Sequence, residues 1–370
     1  MRPLVWLCAT VVALAGRAPA TLDGRAPAPP PPPTLQAAFR ARCARYLNIT
    51  AHSYDNLVGD ATRAALHLTP PGKPMIRGDY NGTIQNMRDR KDCSDFNAPM
   101  LMRVLYTAGA NLPPAKRAQL KAAFQNWQFW VDEVQGGFEG GMEVWTENHQ
   151  MDFHVSEYLA GMLWPTELFP GTNMTGKQHA DRGREFVVRW LERRYRWGFS
   201  EWRSDTYNQF DFHRCCSCCS YSSYCSTARA AAANRVVADR HSVSALAALA
   251  TEPRVAARAA VVLELMLIDV AMHSFHGQRV SSMGRSYGNS KWSWASSGTH
   301  DLSCLLSGVG LCSSCGAGSY CAGGTAEVGV CLAALGHSSN TQAGYSVSDV
   351  TLGIAADVNT RTFVAKVHIA

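Results

Sequence analysis

This sequence predicts a mainly α protein, an incomplete α/α toroid or helical array. A Cys/Gly/Ser-rich C-terminal tail, partly β or disordered, follows it. Three observations carry the prediction. From residue 35 to about residue 276, apolar side chains recur at helical spacing in successive runs. Strand-like alternation is sparse before residue 290. Aromatic-rich loops punctuated by Gly and Pro separate the runs.

Residues 1–20 read as a secretory signal. Arg2 supplies the positive start, "LVWLCATVVALAG" a short apolar core, and Ala18-Pro19-Ala20 the cleavage motif. Secretion follows as the expected localisation, with no membrane segment after cleavage, since no later stretch offers about 18 uncharged apolar residues. Three sequons, at Asn48, Asn81 and Asn173, fit a glycosylating route. Twelve of the thirteen cysteines remain in the mature chain, where disulfides are their default fate. Cys43 and Cys93, the only cysteines in the helical region before the insertion described below, are candidates for a bridge, the alternative being that each is simply buried as a free thiol. The net charge of +6 falls to +4 when Arg2 and Arg17 leave with the signal. That excess suits an anionic polymer, and no lysine–arginine run points to nucleic acid.

Residues 21–34 form a proline-rich linker, extended and semi-rigid. The helical domain spans 35–290. In "AKRAQLKAAFQNWQFWVDEV", Leu120, Phe124, Trp127 and Val131 fall on one helical face, with Pro113-Pro114 before it and Gly136-Gly137 to end it. "DRGREFVVRWLERRYRWG" repeats the form, with Phe186 and Trp190 inward and Gly198 closing it. "EPRVAARAAVVLELMLIDVAMHSF" is apolar enough to be buried nearly all round. A Cys/Ser then Ala-rich insertion (213–235) interrupts the domain. Residues 291–370 read as a separate tail ending in the strand-like "SVSDVTLGIAADVNTRTFVAKVHIA".

Three polar clusters lie beside loops: "TENHQ" (146–150), "GFSEWRSDTY" (198–207) and "GRSYG" (284–288). Thr146 reads as an N-cap bonding the amide of His149, which leaves Asn148 and His149 themselves unassigned. Glu201 and Asp205 stand at i, i+4 among Trp202, Tyr207 and other rings. Carboxylates beside aromatic faces suit a sugar site, and they equally suit an ordinary amphipathic helix start.

The ordered set "TENHQ", "GFSEW" and "GRSY", with the text around it over residues 80–290, resembles a family of secreted helical proteins. More distantly, Asn148-His149 followed by Arg285-x-Tyr287 is similar to the active-site set of α/α-toroid polysaccharide lyases of the alginate-lyase type. The chain departs from the pattern at the insertion and in the tail. The resemblance implies a secreted carbohydrate-active protein that cleaves a uronic-acid polysaccharide by β-elimination. His149 would be the base, Tyr287 the acid, and Asn148 with Arg285 the partners of the substrate carboxylate. Trp145, Glu147, Glu201, Trp202, Asp205 and Tyr207 would line the substrate site. Such chemistry needs neither metal nor organic cofactor. A glycoside hydrolase using Glu147, Glu201 or Asp205, with Asp152 and Glu157 in reserve, is the rival enzyme. A non-catalytic protein binding an anionic or neutral polysaccharide is the rival outside catalysis. Each residue also has a purely structural reading, as a core histidine, turn amide, surface cation or packed ring. His273 and His276, at i, i+3, read as a weak metal pair, because no third ligand accompanies them.

Overall fold

The computed structural model describes residues 33–133, 144–200, 239–281, 300–309, 325–336, 345–357 and 359. Twelve α-helices carry the fold among them: α1 (Leu35–Ser53), α2 (Leu57–Ala65), α3 (Asn81–Arg88), α4 (Ala98–Thr107), α5 (Pro114–Gln125), α6 (Glu147–Leu163), α7 (Gly176–Trp197), α8 (Asp239–Leu249), α9 (Pro253–Met272), α10 (His300–Ser307), α11 (Thr325–Ala334) and α12 (Asp349–Ala356). Strand is confined, among the described residues, to two short antiparallel hairpins. One pairs β1 (Leu168–Phe169) with β2 (Met174–Thr175), the other β3 (Ser274–Phe275) with β4 (Gln278–Arg279). The chain is mainly helical, as its periodicity predicts. No helix of the described residues is long and apolar enough to cross a membrane.

The helices start where local chemistry starts them. Asn56 accepts from the amides of Val58 and Gly59 at the head of α2, and Thr175 with Gln178 forms a reciprocal capping box at α7. Gly198 ends α7 at φ +74°, a conformation glycine adopts without steric cost. On α7, Trp190 is buried and Phe186 half-buried, as expected. The run beginning at Ala115 behaves differently. Its helix stops at Gln125, and Trp127 and Phe129 fill the core from the segment beyond it. Asn126 takes the cap, so Gly136 and Gly137, which lie outside the described residues, do not end α5. On α9, Val261 and Leu265 are exposed, so that helix is not buried all round.

The core gathers α1, α2, α4, α6, α8, α9 and α11, with α8 packed against α4, α6, α9 and α11. Helices α10, α11 and α12 come from the stretch expected to be a separate tail. They pack on α1, α8 and α9 within the same compact unit, Thr34–Ala370, and Val328, Val330, Leu332 and Leu352 are buried there. The strand-like text at Thr351 is helical in α12, where Ser348 caps the helix and Glu264 of α9 accepts from the Ser348 amide. Burial against α9 outweighs the β propensity of its Val and Thr residues. Cys43 is bridged to Cys331 of α11, with Cα atoms 5.0 Å apart, and so does not pair with Cys93. The pairing was hidden because α11 reaches α1 only through tertiary packing. Asn48, Asn81 and Asn173 are all exposed.

Buried polar groups tie the N-terminal helices. Asp60 accepts from the amides of Arg77 (2.8 Å) and Gly78 (2.7 Å) and from the Tyr80 hydroxyl, and it pairs with Arg63. Arg63, fully buried, donates to the carbonyls of Ala51, Tyr54 and Met75. Gly59 has to be glycine, because a Cβ there would lie 1.9 Å from the Tyr54 carbonyl oxygen.

Candidate functional site

Helix α6 is the least ordinary element of the core. It is buried along most of its length, yet Asn148, His149, Asp152, His154, Ser156 and Glu157 are among its buried residues. Core helices are usually apolar, and each buried polar group needs a partner to offset its lost hydration. Neighbouring elements supply some of these partners, whereas His154 Nδ1 and Ser156 Oγ meet no hydrogen-bond partner among the described residues. Ser242 of α8 donates to Asp152. Glu157 accepts from His179 Nδ1 (2.9 Å) and Arg182 Nε (2.6 Å), both on α7. Burial holds the imidazole of His154 down to about 3 and that of His179 to about 4.

At the head of α6 stands His149, 4% exposed. Its Nδ1 lies 2.7 Å from Oδ2 of Asp95, in the 3-10 turn Asp95–Asn97 that leads into α4. The ring stacks on Phe96, with centroids 4.7 Å apart and planes 14° apart. Burial pushes the Asp95 carboxyl up while the imidazole pulls it down. A carboxylate on Nδ1 fixes the ring's orientation and tautomer. Beside His149 lie Asp92 and Cys93, each offering a ligand atom within 4.8 Å of a His149 nitrogen and of the other.

Asn148 is buried as well. Its Oδ1 accepts from Thr146 Oγ1 at 2.7 Å, while its Nδ2 meets no acceptor among the described residues. Thr146 is the N-cap residue, as expected, but its hydroxyl turns to Asn148 instead of the His149 amide. The adjacent Trp145 is 65% exposed and packs edge-on against Trp130, with centroids 5.6 Å apart. Together the two rings form an aromatic step beside the head of α6.

Glu147 serves the fold. Its carboxylate pairs with Arg194 and accepts from the Ser200 amide at 2.7 Å, and its carbonyl accepts from Trp190 Nε1 at 2.9 Å. These contacts pin the start of α6 to the end of α7. Asp152 and Glu157 are likewise engaged by Ser242 and by His179 with Arg182. Tyr287, Arg285, Glu201, Trp202, Asp205 and Tyr207 lie outside the described residues. The metal pair read at His273 and His276 does not share a helix face. His273 caps α9 with Nδ1 2.7 Å from the Asp269 carbonyl, whereas His276 occupies the β3–β4 turn at φ +52°.

Sequence reasoning missed Asp95, Asp92 and Cys93. The signal was "DCSD" (92–95), two carboxylates and a thiol within four positions, just before a helix. No family model, curated protein or solved structure matches the chain.

Proposed function

We propose that this is a secreted carbohydrate-active protein that cleaves a uronic-acid polysaccharide by β-elimination. The observation that carries the reading is the Asp95–His149 pair, an imidazole oriented by a buried carboxylate at the head of a helix. In elimination, His149 Nε2 takes the proton from C5 of the uronate. The C5–H electron pair forms the C4=C5 double bond as the C4–O4 bond breaks, and Tyr287 protonates the departing O4. Removal of that proton requires the neighbouring carboxylate to be stabilised as charge develops. Asn148, whose Nδ2 is buried and meets no acceptor among the described residues, suits that task, with Arg285 as the second donor. Trp145, exposed and braced by Trp130, offers a ring on which a sugar can stack. The toroidal arrangement belongs to the same reading, as does passage through a secretory compartment, which three exposed sequon asparagines and a disulfide favour.

The hydrolase reading loses its first candidate, because Glu147 spends its carboxylate on Arg194 and the Ser200 amide. The test is ultraviolet absorbance of the unsaturated product against alginate, pectate, hyaluronan and heparan. His149→Ala should lower the rate at least about 10²-fold, the share a general base contributes. Asn148→Ala should cost about 3 kcal/mol of activation free energy. New reducing ends without the absorbance would establish hydrolysis instead. A folded protein that cleaves none of the four would leave carbohydrate binding as the function.

A further inference from the structure

We propose that Asp92, Cys93 and His149 bind a thiophilic divalent cation, of which zinc is the chemical type. One ligand atom from each residue lies within 4.8 Å of the other two. Cys93 Sγ is 3.5 Å from Asp92 Oδ2 and donates to it, so these two donors already converge. A thiolate, an imidazole and a carboxylate form a zinc donor set, whereas calcium and magnesium take oxygen alone. Bond lengths of about 2.0–2.3 Å around a tetrahedral ion place ligand atoms about 3.5 Å apart. The cluster must therefore contract by about 1 Å, which the exposed Asp92 and half-buried Cys93 can supply from their turn.

The support behind the cluster is what a metal-bound histidine uses. Asp95 Oδ2 sits 2.7 Å from His149 Nδ1, and both side chains are buried. A carboxylate there fixes the tautomer and raises the basicity of the ring. Phe96, stacked on the imidazole, stops it from swinging away. Three protein ligands leave the fourth tetrahedral position open, and Asp92 and Cys93 at the protein surface give an ion its way in. Binding releases the thiol proton and any proton on the imidazole. The inference stands on the cluster and goes beyond the lyase reading. Where that reading holds, the cation takes the nitrogen needed as base, and zinc becomes an inhibitor of elimination.

The test is titration of the full chain, disulfides intact, with cobalt(II) as a spectroscopic stand-in and then zinc(II). The expected result is saturable binding of one equivalent, with a near-ultraviolet thiolate-to-cobalt charge-transfer band that zinc abolishes by displacement. Cys93→Ser should remove the band. Asp92→Asn should weaken binding at least about tenfold, and Asp95→Asn about 10–100-fold with the band retained. Circular dichroism reports whether each variant is folded, and Cys93→Ser and Asp92→Asn decide the matter should His149→Ala not fold. Absence of saturable binding by the folded wild-type chain would overturn the site, as would a charge-transfer band that survives Cys93→Ser. The readout needs no polysaccharide. A chain that binds cobalt yet cleaves nothing loses the lyase reading alone.

Discussion

Asp95 and His149 are 54 positions apart, and a single 2.7 Å contact makes them one unit. Asp95→Asn keeps the shape but offers an amide where the carboxylate stood, so the ring loses its fixed tautomer. Under the lyase reading, kcat should fall about 10²-fold or more with KM little changed, as steady-state kinetics would show. Glu147 makes the opposite prediction. Glu147→Ala strands the guanidinium of Arg194, mostly buried against Trp190 and Phe199, and should cost about 3 kcal/mol in urea denaturation. Asn148 and His149 stand out as candidates in "TENHQ" because neighbouring groups of different chemistry at a loop end are visible in one line of text. Asp95 does not, since nothing local says that "DCSDF" packs its second carboxylate against α6. The contacts of Glu147 were hidden for a related reason, because its partners Arg194 and Ser200 arrive from the end of α7 and the residues just beyond it.

Among the elements, the end of α7 was legible at Gly198, whereas its start lies five residues before the run read from Asp181, at a Thr175–Gln178 capping box that went unread. Helix α5 was less so. The apolar spacing continues through Trp127 after the helix has ended, and a core segment of irregular backbone shows the same inward residues. Helices α11 and α12 were hidden by composition. Small residues and β-branched ones read as tail, yet Ala333, Ala334 and Val330 are small enough to let α11 lie close against α8 and α1. Their place in the core yields a prediction. Cys43→Ser with Cys331→Ser should lower unfolding free energy by about 3–5 kcal/mol in guanidinium titration, because the lost bridge closes a loop of 288 residues. A change below about 1 kcal/mol would show that α11 docks without it.

For the whole molecule, the interior polar groups set how stability follows pH. His154 and His179 titrate near 3 and 4 in the folded protein and near 6.5 when unfolded. Between those values the unfolded chain holds protons that the native one refuses. This part of the stability is therefore complete above about pH 6.5 and drains away as pH falls toward 4 and then 3. Melting temperature by circular dichroism should drop across that window. His154→Phe, placing an apolar ring in the stack with Phe186, should make the drop shallower. Burial raises Glu157 beside both rings and opposes the trend, so the difference between wild type and His154→Phe is the deciding measurement, and equal drops in the two would contradict the burial of His154.

The bridge between Cys43 and Cys331 also has a consequence in time. A ribosome delivers Cys331 only 288 residues after Cys43. Over that interval the first helix carries a thiol whose partner does not yet exist, while other cysteines emerge and compete for it. Correct oxidation thus waits until residue 331 has emerged and α11 has docked. A pulse-labelled chain run on a non-reducing gel should pass from slow to compact migration only after that point. A product truncated before residue 331 should never make that shift.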